Sequence, residues 1–168
     1  DEQYRFNNDN NLVTMTVPLA GIGSWCSTVG SGIFEFYESL GLERTIVNIK
    51  GPDGTVELLG GKYTIYNEKQ ESGSLVSTVE SDEGNIYIYE NEDVLPIGFT
   101  QDIYMLKSDF LELDPELRAL AMIKALVVED DMESEVKSVL REYDPAEDGV
   151  ISSENKVNDI REHLQEKG

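Results

Sequence analysis

The chain is poor in thiols, indoles and imidazoles. It has one cysteine, Cys26, one tryptophan, Trp25, and one histidine, His163. A single thiol excludes an internal disulfide and any cysteine cage for zinc. Low cysteine use fits the cytosol and equally fits exported proteins that avoid thiols, so the compartment stays open on that ground. Basic residues are also scarce, with 13 Lys and Arg against 34 Asp and Glu and a net charge of −21. Phosphate backbones are gripped by clustered Lys and Arg, so nucleic acid is excluded as a partner. The same deficit argues against lying on an anionic lipid surface. The plain reading of such a surface is solubility through self-repulsion. No long apolar run is present: "ALAMIKALVV" (119–128) is broken by Lys124 and is too short to span a bilayer. No signal-peptide pattern opens the chain. The first residue is Asp1 rather than Met, which leads us to expect a processed or excised piece of something longer.

What is present suits a globular fold. The 168 residues amount to about one domain, with 39% hydrophobic and 28% charged residues. A chain of this length buries a core without disulfide staples. "YRFNN" (4–8) and "NLVTMTVPL" (11–19) read as strands about an Asn/Asp turn, and 21–32 as a Gly/Ser loop. Ser31 is placed to cap a helix whose apolar face is Ile33, Phe36, Tyr37 and Leu40. Gly41 supplies its left-handed stop, and Leu42 folds back onto it. Residues 44–49 read as a strand or an extended link, and "GPDG" (51–54) turns into a short helix.

Strands follow at 62–68, 74–80 and 85–91, joined by short glycine-bearing loops, which predicts an antiparallel meander. "NEDVLPIGF" (91–99) turns the chain with Pro96 and Gly98 and anchors it with Phe99 before a further strand in 99–106. "LDPELRALAMIKALVVED" is the clearest helix. Asp114 is its N-cap, Pro115 its first residue and Glu116 meets the positive dipole end. Leu113, Leu117, Leu120, Ala121 and Val128 make its core face. Residues 132–143 and 153–168 read as two polar helices, with a boundary near 129–131. The expected fold is α+β: a mixed, mostly antiparallel sheet flanked by helices over 1–130, then a charged helical extension over 131–168.

Chemistry-bearing patterns are few. Cys26 and His163 lie far apart, with His163 expected on an exposed polar helix, so a thiol–imidazole dyad is not supported. "GIGSWCSTVGSG" lacks the Lys-Ser/Thr of a phosphate loop and the dinucleotide spacing. Residues 144–155, "DPAEDGVISSEN", approach a calcium loop, with Asp144, Asp148, Gly149 and Ile151 at positions 1, 5, 6 and 8. Ala146 offers no oxygen at position 3 and Asn155 gives no bidentate carboxylate at position 12. The metal candidates are therefore Asp144, Asp148 and Asn155, set against a plain Asp/Gly turn. Calcium is the one cofactor the pattern brings into view, and otherwise none is expected. Tyr63, Tyr66, Tyr87, Tyr89 and Tyr104 cluster on strands. They read first as cross-strand packing, and Tyr63, Tyr87 and Tyr89 as candidate glycan contacts.

Taken in order, several motifs resemble one family. "LLGGKYTIYNE" supplies Leu58, Leu59, Gly60, Lys62 and Tyr63. "NIYIYENEDVLPIGFTQDIYML" supplies Tyr89, Glu90 and Asn91, then Leu95, Pro96, Gly98 and Phe99. With "YRFNN" and the loop before "FEFYESLGL", residues 3–129 resemble the extracytoplasmic part of YfhO-type bacterial membrane proteins, and the tail after 130 falls outside the likeness. The resemblance implies a multi-span glycosyltransferase-like protein that uses a lipid-linked sugar and decorates lipoteichoic acid in Gram-positive bacteria. It implies an extracellular position at the plasma membrane. It also implies a catalytic acidic residue in loops between membrane spans, so no residue here is assigned catalysis. The partners implied are the protein's own transmembrane domain and a cell-wall glycopolymer. This stretch would position the acceptor or brace the membrane part. A −21 surface repels polyglycerol phosphate, so contact would run through sugar hydroxyls and aromatic faces. Two alternatives stand beside it: a free-standing carbohydrate- or protein-binding module, and a calcium-responsive tail on an α+β domain.

Overall fold

The computed structural model describes residues 4–8, 20–23, 30–42, 49, 51–82 and 84–165. The expected strand over 11–19, the loop carrying Trp25 and Cys26, and most of the 44–49 link lie outside them. The fold is α+β, with a larger mixed sheet that is mostly antiparallel, a second small sheet, flanking helices and a C-terminal helix.

The first sheet contains β1 (Arg5–Asn8), β2 (Gly61–Tyr66), β3 (Ser74–Ser81) and β4 (Gly84–Glu90). Its order is β1-β2-β4-β3. β3 and β4 form the expected hairpin, closing at Ser81 opposite Gly84. β2 does not pair with β3. It pairs with β4, Tyr66 opposite Tyr87, so the meander is replaced by a sheet in which β4 lies between its two predecessors. β1 joins β2 in parallel.

Helix α1 (Ser31–Ser39) starts one position earlier than its sequence suggests, with Gly30 at the N-cap and no side-chain cap. Tyr37 and Leu40 of its apolar face are buried, whereas Ile33 is 48% exposed. Its end follows the expected motif. Gly41, at φ +74, donates to Glu38 O, and Leu42 donates back to Tyr37 O. After Gly54, at φ +87, comes α2 (Thr55–Leu58). A Cβ on Gly54 would sit 2.7 Å from Leu120 Cδ2, so the missing side chain lets α2 press against the helix that carries Leu120.

The acidic corner passes from β4 into the second sheet. Asn91 Nδ2 donates to Gly61 O at 2.6 Å, and Leu95, fully buried, donates from its backbone to Glu57 O. Phe99 packs on the core as expected. Gly98 does not act as the predicted hinge: its φ is not positive and a Cβ there would meet open space.

The second sheet, order β6-β5-β7, is parallel throughout. β5 (Ile103–Leu106) leads into α3 (Lys107–Glu112), then α4 (Pro115–Lys124), and the chain returns as β6 (Leu126–Val128). A parallel pair requires such a crossover. α4 begins as its sequence dictates, with Asp114 accepting from the Glu116 backbone N–H and Pro115 at the first position. It ends earlier than the apolar run suggests. Ala125 is extended, and Val127 and Val128, β-branched and stiff, pair with Met105 and Leu106. Val128 therefore belongs to a strand and not to a helix face.

The 131–168 stretch is only partly helical. After a 3₁₀ turn (Asp130–Met132) and α5 (Glu133–Val136), Arg141 and Glu142 form β7 against Ile103 and Tyr104. α6 (Pro145–Asp148) and α7 (Lys156–Gln165) follow. Ile151 and Ile160 sit in one cluster with Leu95, Met105, Phe110, Leu120 and Ile123. A second cluster joins Ile22, Tyr37, Leu40, Leu42 and Ile49 to Ala119 of α4, so α4 is shared by both.

Candidate functional site

The tyrosines divide by strand parity. Residues an odd number apart on a strand face opposite sides. Tyr63 therefore looks away from Tyr66 and stacks on Phe6, centroids 5.3 Å apart. Tyr66, Tyr87 and Tyr89 share the other side: Tyr66 faces Tyr87 across β2 and β4 and meets Tyr89 edge-on at 5.7 Å. Tyr104 is 2% exposed and belongs to the core. So the structure brings two of the three candidate glycan contacts together, Tyr87 and Tyr89, adds Tyr66, and sends Tyr63 elsewhere.

A cleft of about 440 Å³ opens on that side, lined by Thr64, Tyr66, Gln70, Tyr89, Glu90 and Asn91 among others. Tyr89 is its floor. Its hydroxyl accepts from Gln70 N at 3.0 Å and donates to Gln70 O, which ties the β2–β3 loop over the ring. Gly73 lies so close that a Cβ would stand 3.1 Å from Tyr89 Cδ1. Amide, hydroxyl and carboxylate groups around an aromatic floor suit a neutral, hydroxyl-rich ligand better than an anion.

The calcium-like loop is occupied by its own partners. Asp144 caps α6, accepting from Ala146 N at 2.8 Å. Both carboxylate oxygens of Asp148 take hydrogen bonds from Arg141, and one also accepts from Asp144 N. Arg141 holds the Asp148 carboxyl below its ordinary value against the opposing effect of burial. Asn155 donates from Nδ2 to Val150 O, and Ile151 is buried. A cation here would have to displace the guanidinium. Among the described residues no group of three or more His, Cys, Asp and Glu is placed to hold a metal ion.

A third feature escaped sequence reasoning. A polar cleft of about 530 Å³ lies where α4, α7, β5 and β7 meet, lined by Asp102, Lys124, Arg141, Asp148, Asp159 and His163 among others. Lys124 Nζ is 2.7 Å from Asp159 Oδ1, with side chains only 11% and 8% exposed. His163 is half-buried, contrary to its expected exposure. Its Nε2 lies 2.8 Å from Ile123 O and its ring meets Phe99 at 5.2 Å. Gln101 Nε2 donates to Met122 O and Ile123 O, so two side chains from distant segments satisfy the last carbonyls of α4. The readable signal was Lys124, a cation inside an apolar run that must find a counter-charge. Nothing local pointed to Asp159. Both cations lining the cleft are committed to carboxylates, so it is no ready anion trap.

Comparison with known families bears on the whole of this architecture. The model of the family described as bacterial membrane protein YfhO matches residues 3–167. This chain belongs to the YfhO family. The match runs through the tail after residue 130, which the quoted motifs do not reach. No curated protein and no solved structure matches the chain. Among the described residues of this YfhO-family chain, no helix is long and apolar enough to cross a membrane.

Proposed function

We propose that this chain is the water-facing part of a multi-span YfhO-family protein on the extracellular face of the bacterial plasma membrane. It positions the acceptor, or braces the membrane part, while a lipid-linked sugar is transferred to lipoteichoic acid in a Gram-positive cell wall. One observation carries the reading: a membrane-protein family model matches residues 3–167, yet no described helix could span, so any spanning helix lies outside the described residues. Catalysis then belongs to the membrane-embedded part. The tyrosine-floored cleft supports contact with the neutral sugar portion of an acceptor, because the −21 chain repels its phosphates.

Two measurements test this. Val139, 78% exposed, is changed to Cys in a Cys26→Ser version of the full-length protein, and intact cells are treated with a membrane-impermeant maleimide. Labelling before lysis is expected, and labelling only after lysis rejects the extracellular placement. On a glycan array, neutral saccharide binding should be lost with Tyr66→Ala, at the wall of that cleft. Tight binding to anionic teichoic acid in the presence of a chelator would contradict the proposed mode of contact.

A further inference from the structure

Tyr89 floors the cleft in the first sheet, yet it is only 5% exposed. The loop over 67–73, which joins β2 to β3 and has no secondary structure of its own, lies against it. Residues 67–69 and 71–73 are exposed, and Gln70 alone is drawn inward. Gln70 gives both of its backbone groups to one hydroxyl. Its N–H donates to Tyr89 Oη at 3.0 Å, and its carbonyl accepts from the same oxygen at 3.2 Å. At the far end Gly73, at φ +109, carries the chain against the ring, where a Cβ would stand 3.1 Å from Tyr89 Cδ1. The loop is thus pinned by two hydrogen bonds and by a close approach that the missing side chain permits.

Stacking of a sugar on an aromatic ring needs an open ring face. Tyr66 is half-buried and lines the cleft, but the ring of Tyr89, edge-on to it at 5.7 Å, is covered. We infer that the 67–73 loop is a lid. Clasped by the Tyr89 hydroxyl, it shuts the aromatic floor, and a saccharide reaches that floor only after the loop lifts. The inference rests on the reading of this cleft as the sugar contact, and it adds how access to that contact is controlled.

Lifting is a modest change. Water replaces the hydroxyl as the partner of the Gln70 N–H and C=O, so only the net worth of the two hydrogen bonds is lost. Two such bonds favour the closed form by about tenfold to a hundredfold. Ligand affinity falls in proportion to the fraction of molecules whose lid is open. The Tyr89 hydroxyl is therefore a positioning group that holds the lid down and not a sugar contact. Its removal should strengthen saccharide binding, where removal of a contact would weaken it.

The test uses two variants that loosen the lid by different chemistry. Tyr89→Phe keeps the ring and deletes the clasp. Gly73→Ala keeps the clasp and sets a Cβ against the ring at a backbone angle that side chains disfavour. Trypsin cuts after Lys69, at the bond to Gln70 itself, and proteolysis of a segment that opens and closes rapidly tracks its open population. Cleavage there should rise about tenfold in both variants. Cleavage after the exposed Lys137 should not change, which separates lid opening from global unfolding. Nitration of Tyr89 by tetranitromethane, mapped by mass spectrometry, should rise by a similar factor in Gly73→Ala. Neutral saccharide binding on the glycan array should strengthen about tenfold in both variants. Unchanged cleavage after Lys69 in either variant overturns the inference. So does faster cleavage with Tyr89 no more reactive, or saccharide binding that either variant leaves unchanged or weakens. If cleavage and nitration respond as expected and no saccharide binds to any form, the lid stands and the sugar reading of the cleft fails.

Discussion

Lys124 Nζ and Asp159 Oδ1 stand 2.7 Å apart, 35 positions apart in sequence and almost wholly out of water. The pair ties α4 to α7 beside buried Ile160. Removing one partner leaves the other charged and uncompensated in the interior. Asp159→Ala should therefore cost about 3–5 kcal/mol of unfolding free energy. Lys124→Met with Asp159→Leu should recover most of it, because packed apolar groups replace a pair that carried its own desolvation cost. Urea unfolding of the two variants checks this, and equal losses would show that the charge pairing is not what matters.

The two glycines at 54 and 98 should respond oppositely to a methyl group. Gly54 has φ +87 and no room beside Leu120, so Gly54→Ala should lose about 1–3 kcal/mol. Gly98 has open space and no positive φ, so Gly98→Ala should stay within about 0.5 kcal/mol. Thermal denaturation of both variants compares them directly.

Acid should weaken the fold through two carboxylates with depressed values. For Asp148 the cause is the Arg141 hydrogen bond. For Asp53, burial opposes the shift, but hydrogen bonds from Lys156 and Ser153 outweigh it. A carboxyl with a lowered folded value binds protons less readily than in the unfolded chain. Its contribution is thus complete above the ordinary value of 3.8 and is lost as pH falls below it, through the lower folded values. Arg141→Gln should flatten the acid limb of stability against pH, and an unchanged limb would exclude Asp148 as a contributor.

Calcium should not stabilise the 144–155 loop. Asp148 is held by Arg141, and Asp144 is engaged in capping α6. Titration calorimetry with about 1 mM Ca²⁺, a concentration that fills weak extracellular sites, should show no binding heat. Saturable heat that vanishes with Asp148→Asn would reverse this assignment.

Some features of the site were readable at the level of single residues. Tyr63 and Tyr66 are three apart on one strand, so their opposite directions follow from parity alone. That Tyr66 and Tyr89 meet depends on β4 lying next to β2, which no local signal states. The loop bonds from Gln70 that close over Tyr89 depend on the same strand order. Lys124 announced a need for a counter-charge. Its answer lay in α7, whose Asp159 is one acidic residue among many in a polar stretch.

By itself, the sequence determined what a few neighbouring residues can settle. Asp114, Pro115 and Glu116 start α4, Gly41 stops α1, and the β3–β4 hairpin closes on its short turn. The acidic balance, the lack of a spanning run and the ordered motifs of the family were equally legible. Tertiary structure alone decided that Val127 and Val128 leave the helical pattern for a strand, because a parallel edge of β5 was there to pair with. It alone set β7 beside β5 and drew Ile151 and Ile160 into a core shared with residues 95–125. Helix caps and tight turns are local contacts that stabilise the same shape wherever they occur. Strand order and core membership are settled by contacts between distant segments, whose free energy exists only once the chain has brought them together.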